Sequence, residues 1–370
     1  MKRSKQLLLS AISLAIILVF LMFLEANKFK YGMAYTVLEK GMILAVVAVS
    51  MNLVTGFTGL FSLGQAGFMA IGAYVTSILL IPSESMEEVY YISGVNESIM
   101  SVKRWLESGP AFVEHLLPYI SLIIGGLVAA AFAALIGYPV LRLKSDYLAI
   151  ATLGFSEIMR AIISSPQMDR VTNGSYGLKK IPGFYTIVEP FMIMVVCIAL
   201  MVLLLRSTYG RAFRAIREDE VAAEAMGINL AKHKQMSFII GSFFSAISGG
   251  MLAIFMRSID SKTFSVALTY DILLIVVIGG IGSVTGSVLA AILVTMSKEW
   301  WLRFFDNPLF IGGVQIPLFR TGFRMVIFSV ILLLIVLFYQ RGIMGKNEFS
   351  WAGLERRLKK LVKKGGAKNA

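Results

Sequence analysis

"GFTGLFSLGQAGFMAIGAY", residues 56–74, carries five glycines (Gly56, Gly59, Gly64, Gly67 and Gly72) together with hydroxyl and amide side chains. It sits in an apolar run long enough to cross a bilayer. Hydrocarbon offers no hydrogen bonds, so a gap in a spanning helix must be met by protein or water. Glycine permits such a gap and lets neighbouring backbones close in. The stretch therefore predicts an interrupted span beside something polar.

The rest of the chain sets that span among many others. Only 15% of the 370 residues are charged and 57% are hydrophobic, whereas soluble domains carry about a quarter charged residues. Apolar runs of about 20 residues recur from end to end, each reading as a membrane helix. No soluble core accommodates so many. The expected fold is an all-α polytopic membrane bundle of about ten segments, some broken or half-length. They are placed near 7–24, 37–55, 63–81, 116–141, 146–163, 189–206, 235–256, 271–281, 284–297 and 321–340. A barrel is excluded, because its strands alternate polar and apolar residues. The start imitates a signal peptide, but Leu7–Leu24 is long for one and no small-x-small site follows. It reads as the first span, held inside by Lys2, Arg3 and Lys5.

The net charge of +13 reads as topology rather than nucleic-acid binding, since Lys and Arg collect on the cytoplasmic side. "DILLIVVIGGIGSVTGSVLAAILVTMS" decides the far end. A break at Gly279–Ser283 returns the chain and puts the tail, with nine Lys/Arg and two acids from Arg341 on, inside. Without the break the positive excess falls outside. Both termini are therefore expected in the cytoplasm. The tail, 341–370, reads as a basic amphipathic helix on the inner leaflet, with Trp351, Leu354, Leu358 and Leu361 on one side. The outer loop, 82–115, holds six acids and two bases. It is a solvated excursion or a landing surface for an extracytoplasmic partner.

The longest polar loop on the inner side, 207–234, contains "RAFRAIREDEVAAEAMG". Phe213, Ile216, Ala223 and Met226 can share one side of a helix that Gly227 ends as a C-terminal cap. Standing in the cytosol, such a helix suits a partner's groove; resting on the bilayer is the alternative. Single residues are ambiguous. Cys197 reads as small packing. His115 and His233 lie far apart and, with no Cys/His cluster, give no metal site. Glu157 and Arg160 share a side of one span, either as a functional pair or as a mutual one. Asp146 and Asp271 read as helix N-caps. Arg320 and Arg324 read as snorkelling to the outer interface.

"VAAEAMG" (221–227) resembles the Glu-Ala-Ala-x-x-x-Gly coupling motif of ABC importer permeases, with Val221 where the family has its first Glu and Glu220 one position earlier. "GFTGLFSLGQAGFMAIGAY", "LRLKSDYLAIATLGFSEIMR" (141–160) with "TNGSYGL" (172–178), and "YDILLIVVIGGIGSVTGSVLAA" (270–291) resemble branched-chain amino acid permeases of the LivM type. These stretches cover most of residues 40–295. The resemblance implies a permease domain, 1–340, that pairs with a second related permease, two cytoplasmic ATPases and a soluble binding protein. It also implies that Arg214, Arg217, Glu220, Ala222, Ala223, Glu224 and Gly227 couple to the ATPase.

In discontinuous-helix transporters, helix ends inside the membrane hold substrate. On that ground the candidate pathway is Gly59, Ser62, Gly64, Gln65, Glu157, Gly279, Gly280 and Ser283, with Thr58 and Thr285 beside them. Tight packing through small residues is the alternative for any single glycine. The expected function is the translocation subunit of an ATP-driven importer of leucine, isoleucine and valine in a bacterial or archaeal plasma membrane. A urea or short-amide importer shares the motifs, and an ion-coupled carrier is the weaker reading. With no phosphate loop in the chain and no nucleophile–base constellation, no enzymatic role and no cofactor are expected.

Overall fold

The computed structural model describes residues 3–92, 94–108, 111–143 and 145–306, then short pieces at 310–311, 314–315, 323–338, 342–345 and 348. The helices among them are α1 (Arg3–Ala26), α2 (Gly32–Asn52), α3 (Gln65–Leu80), α4 (Ser83–Val89), α5 (Glu97–Glu107), α6 (Ala111–Val140), α7 (Ser145–Ile163), α8 (Asp169–Thr172), α9 (Val188–Arg206), α10 (Thr208–Glu218), α11 (Glu220–Ala225), α12 (Leu230–Met256), α13 (Val266–Gly279), α14 (Val284–Glu299) and α15 (Phe323–Phe338). A two-residue antiparallel pair joins Phe310–Ile311 to Val314–Gln315.

Each of the ten expected segments is a helix, and the bundle is all-α and multi-pass. Among the described residues four helices are long and apolar enough to cross a membrane alone: Gly32–Phe57, Leu116–Val140, Val188–Arg206 and Leu230–Met256. Tyr147–Ile163 with Pro166–Thr172, bent by 60°, makes a fifth candidate. The 14 residues of α13 rise only about 21 Å, less than the ~30 Å hydrocarbon layer.

Helix α2 is the centre. Its sequence, "GMILAVVAVSMN" at the C-terminal end, is apolar all round, and such a helix is buried on every side. Ile43, Ala45, Val46, Val47 and Met51 are fully enclosed by α9, α12, α13 and α14. Helix α12 lies against α3 and α6 at glycine crossings. A Cβ on Gly72 would fall 2.1 Å from the Ala246 carbonyl oxygen, and one on Gly249 2.0 Å from that of Met69. Between membrane helices, close backbone packing replaces the hydrophobic drive. Helices α1 and α9 turn Ile16, Val19, Phe20, Leu200 and Leu203 outward, as lipid-facing helices do.

The excursion after α3 is folded, not a solvated loop. Met86 and Tyr90 are buried. The Tyr90 hydroxyl donates to the Val171 carbonyl at 2.7 Å, and the Asn173 amide donates to that of Val89 at 2.9 Å. Lys103 is 2% exposed. Its ammonium donates to the Leu79 carbonyl at the end of α3 (2.6 Å) and lies 3.4 Å from Glu107. Burial pushes the Lys103 pKa down, with Glu107 opposing.

Asp271 is not an N-cap. Helix α13 starts five residues earlier, at Val266, and Asp271 pairs with Lys298 of α14 at 2.6 Å. The apolar run misplaced the start because Thr269, Tyr270 and Asp271 look like loop residues. Within α13, Thr269 is buried, Asp271 faces Lys298 and Tyr270 stays exposed.

Candidate functional site

The first break follows α2. The helix continues as one π-helical turn, Leu53–Phe57, then residues 58–64 run non-helically to α3. The groups this frees are met by hydroxyls. The Leu63 N–H donates to Thr152 Oγ1 (3.0 Å) and the Gly67 N–H to Ser156 Oγ (3.2 Å). Both acceptors stand on α7, one turn apart. Thr58 Oγ1 donates to the Leu53 carbonyl and lies 2.6 Å from Ser237 Oγ. Gln65 Oε1 accepts from Ser245 Oγ at 2.7 Å. The two N–H groups are backbone donors that an interrupted helix leaves open, satisfied from α7.

The second break lies between α13 and α14. Gly280 and Gly282 take φ of +111° and +90°, values that favour glycine. Ser283 then caps α14, its Oγ accepting from the Gly286 N–H at 3.1 Å. The Glu348 carboxylate joins it, accepting from the Val284 N–H (2.6 Å) and from the N–H and hydroxyl of Thr285. Anionic side chains suit a helix N-terminus. The Ile343 and Met344 N–H groups donate to the carbonyls of Ile278 and Gly279.

Asn52, fully buried at the end of α2, ties one break to the other. Its Oδ1 accepts from the Gly282 N–H at 2.8 Å. Its amide donates to the Ser283 carbonyl (2.9 Å) and to Ser287 Oγ (2.8 Å). Gly56 makes room: a Cβ there would lie 1.8 Å from Asn52 Oδ1 and 2.6 Å from the Gly282 nitrogen.

The polar stretch after α9 forms two helices, not one. Asp219, with extended φ −159° and ψ 113°, ends α10 and caps α11, its carboxylate accepting from the Ala222 N–H at 3.0 Å. Gly227 closes α11 as expected, at φ +84°, with the Ile228 N–H reaching back to the Ala223 carbonyl. Phe213, Ile216 and Ala223 are not knobs for a partner. They are buried in this chain, where α10 packs on α9, α12 and the π-helical turn. The face left open is Val221, Ala222, Glu224, Met226 and Gly227, with Val221 78% and Met226 84% exposed. Arg214 donates to the carbonyls of Leu205 and Gly210, fastening α10 to the end of α9. Glu220 pairs with Lys234 at 2.6 Å.

Arg217 points inward. Its Nη1 donates to the Gly56 carbonyl at 2.7 Å, and Nη2 donates to Glu218 at 2.5 Å. A Cβ on Gly59 would lie 3.3 Å from Arg217 Cα, and one on Gly282 2.9 Å from Nη1. Glycines of both breaks thus form the seat of one guanidinium.

Of the sequence-derived pathway residues, Ser62, Gly64, Gln65, Gly279, Gly280 and Ser283 are buried in this conformation, while Gly59 is exposed. Glu157 follows Ser156 on α7 with its carboxylate on Arg160, at 2.5 and 2.9 Å. Cys197 is a buried packing residue. Among the described residues no group of His, Cys, Asp and Glu could hold a metal. The His115, Asp146 and Arg324 side chains, Lys2, Arg320 and the tail helix containing Trp351 and Leu354 lie outside the described residues. Sequence reasoning missed two residues. Asn52 was hidden in an apolar run, its position just before the glycines being the available signal. Glu39, buried in α2, was not singled out; its neighbour Lys40 pairs with Glu299 at 2.7 Å.

An apolar bundle with two internal breaks and an exposed helical hairpin is that of a multi-pass membrane protein. A family profile described as branched-chain amino acid transport system, permease component, matches residues 33–340, and the chain belongs to that family. Among its relatives is the high-affinity branched-chain amino acid transport system permease protein LivM of Escherichia coli, 31% identical over 310 residues, covering 74% of this chain and 65% of that one. The chain thus spans just under two thirds of that relative's length. The probable LivM of Methanocaldococcus jannaschii is 24% identical over 85% of this chain and 94% of its own. LivH of Salmonella typhimurium is 21% identical over 82% and 92%. No solved structure matches.

Proposed function

We propose that this chain is the translocation subunit of an ATP-driven importer of leucine, isoleucine and valine. It works with a second related permease, two cytoplasmic ATPases and an extracytoplasmic binding protein. The bundle end that carries α10 and α11 faces the cytoplasm of a bacterial or archaeal cell, with both termini on that side. Residues 1–340 are the permease domain, 82–115 the outer excursion, 207–234 the coupling loop and 341–370 a basic inner-surface tail. The observation that carries this reading is the open strip of Val221, Ala222, Glu224, Met226 and Gly227 on a hairpin anchored from beneath by Phe213, Ile216 and Arg214. A rigidly seated helix with an outward apolar and acidic face suits a partner's groove. The names carried by the relatives support the cargo.

The pathway set acts at the breaks. Gly59, Ser62, Gly64, Gln65, Gly279, Gly280 and Ser283 meet substrate when the breaks part, and the helix ends then face its charged groups. Glu157 borders that route, neutralised by Arg160. Purified with its partners in proteoliposomes, the chain is expected to import labelled leucine only with ATP and loaded binding protein. Import of urea with no leucine competition would instead support the short-amide reading. Uptake by the chain alone on a proton or sodium gradient would refute both. Replacing Gly227 and Glu224 together leaves membrane assembly intact and uncouples hydrolysis from uptake.

A further inference from the structure

Arg217 belongs to the coupling loop, yet its side chain faces the spans. We propose that Arg217 is a positioning residue that, with Asn52, locks the two helix breaks into one joint. Motion of the hairpin opens the bundle by withdrawing Arg217 from the Gly56 carbonyl. This rests on the importer reading and assigns the internal route by which force reaches the spans.

Four observations carry it. The guanidinium donates to the backbone of the first break at 2.7 Å, and the position of a Cβ on Gly282, in the second break, is 2.9 Å from the same nitrogen. Asn52, at the start of the first break, holds the second through the Gly282 N–H and the Ser283 carbonyl. Gly59 brings the backbone of α10 against the first break. Arg214, one turn earlier, secures α10 to α9 only, so the two arginines divide the work between anchor and latch. A bond from a charged donor to a carbonyl in a partly buried site is strong when made and costly to leave unmade. It therefore favours two discrete arrangements over a continuous drift.

The test uses the assembled transporter in proteoliposomes. In Arg217→Ala the ATPases are expected to co-purify normally. Stimulation of hydrolysis by loaded binding protein and leucine moved per ATP each fall about tenfold or more, the scale of one charge-assisted hydrogen bond. Arg217→Lys, which keeps a charged donor, recovers part of the ratio. A merely structural arginine would lower yield while leaving leucine per ATP unchanged, and that result overturns the proposal. If Arg217→Ala assembles poorly, a chain that keeps Arg217 and carries Phe61→Cys and Ile281→Cys supplies the second arm. Spin labels at Phe61 and Ile281, both exposed beside their breaks, in a Cys197→Ala background report the separation of the breaks. A change in that distance between the nucleotide-free and ATP-trapped states is expected; the same distance in both overturns the joint. Absence of ATP-dependent uptake in wild type would instead refute the importer reading.

Discussion

Replacing Asn52 with leucine tests the junction most directly as a matter of stability. The two side chains are close in size, so packing changes little and the hydrogen bonds carry the effect. The Gly282 N–H loses its acceptor inside a buried site, at a cost of about 1–3 kcal/mol. The Ser283 carbonyl keeps a donor, Ser287 Oγ at 3.0 Å, and the Gly280 carbonyl keeps the Ser283 N–H at 3.1 Å, so losing the donated bonds adds only about 1 kcal/mol. The total is about 3 kcal/mol, which lowers Tm by roughly 4 °C in a chain of this size. Thermal unfolding in one detergent, at one protein concentration and one scan rate, measures it, the scan rate being fixed because such unfolding is often irreversible. Ser287→Ala, which removes one of several partners, should shift Tm by less than half as much. A Tm for Asn52→Leu within about 1 °C of wild type would show that the Gly282 N–H finds another acceptor and that Asn52 does not join the breaks.

Gly72→Leu should prevent α3 from seating on α12, because even a Cβ would lie 2.1 Å from the Ala246 carbonyl oxygen; loss of the monodisperse peak in size exclusion checks it. Met226→Glu should abolish ATPase co-purification with no change in Tm, since Met226 is 84% exposed. The Lys103 pKa is lowered on folding, so the unfolded chain binds the extra proton and stability rises with pH. That rise spans the window from the lowered value to the ordinary lysine value near ~10.4. Lys103→Met should lose this slope in unfolding measured across alkaline pH. Glu348→Gln should cost about 0.3–1 kcal/mol through the N-terminus of α14, read as a small drop in Tm.

The Asn52 and Arg217 contacts show where legibility stopped. All ten long helices were readable, because apolar runs and their interruptions are local and lipid permits few alternatives. Both breaks were readable for the same reason, as clustered glycines mark where a helix cannot continue. The purpose of the glycines was not. The sequence offers either walls of a passage or close packing, and the structure adds that Gly56, Gly59 and Gly282 lie against Arg217 and Asn52. The helical period of α10 likewise put Phe213 and Ile216 on one face, but a period cannot say whether that face meets a partner or the chain's own bundle.

By itself, then, the sequence determined that this is a multi-pass helical protein, where its long helices lie, where glycines interrupt them, and where the polar loop between α9 and α12 begins and ends. Those features follow from hydropathy and backbone chemistry within a few residues of each site. Only the tertiary structure decided that the breaks meet, that Asn52 joins them, and that Arg217 reaches the Gly56 carbonyl across 161 residues of chain. A hydrogen bond depends on atoms being within about 3 Å of one another, and for groups so far apart in sequence that proximity is set by the packing of every helix between them.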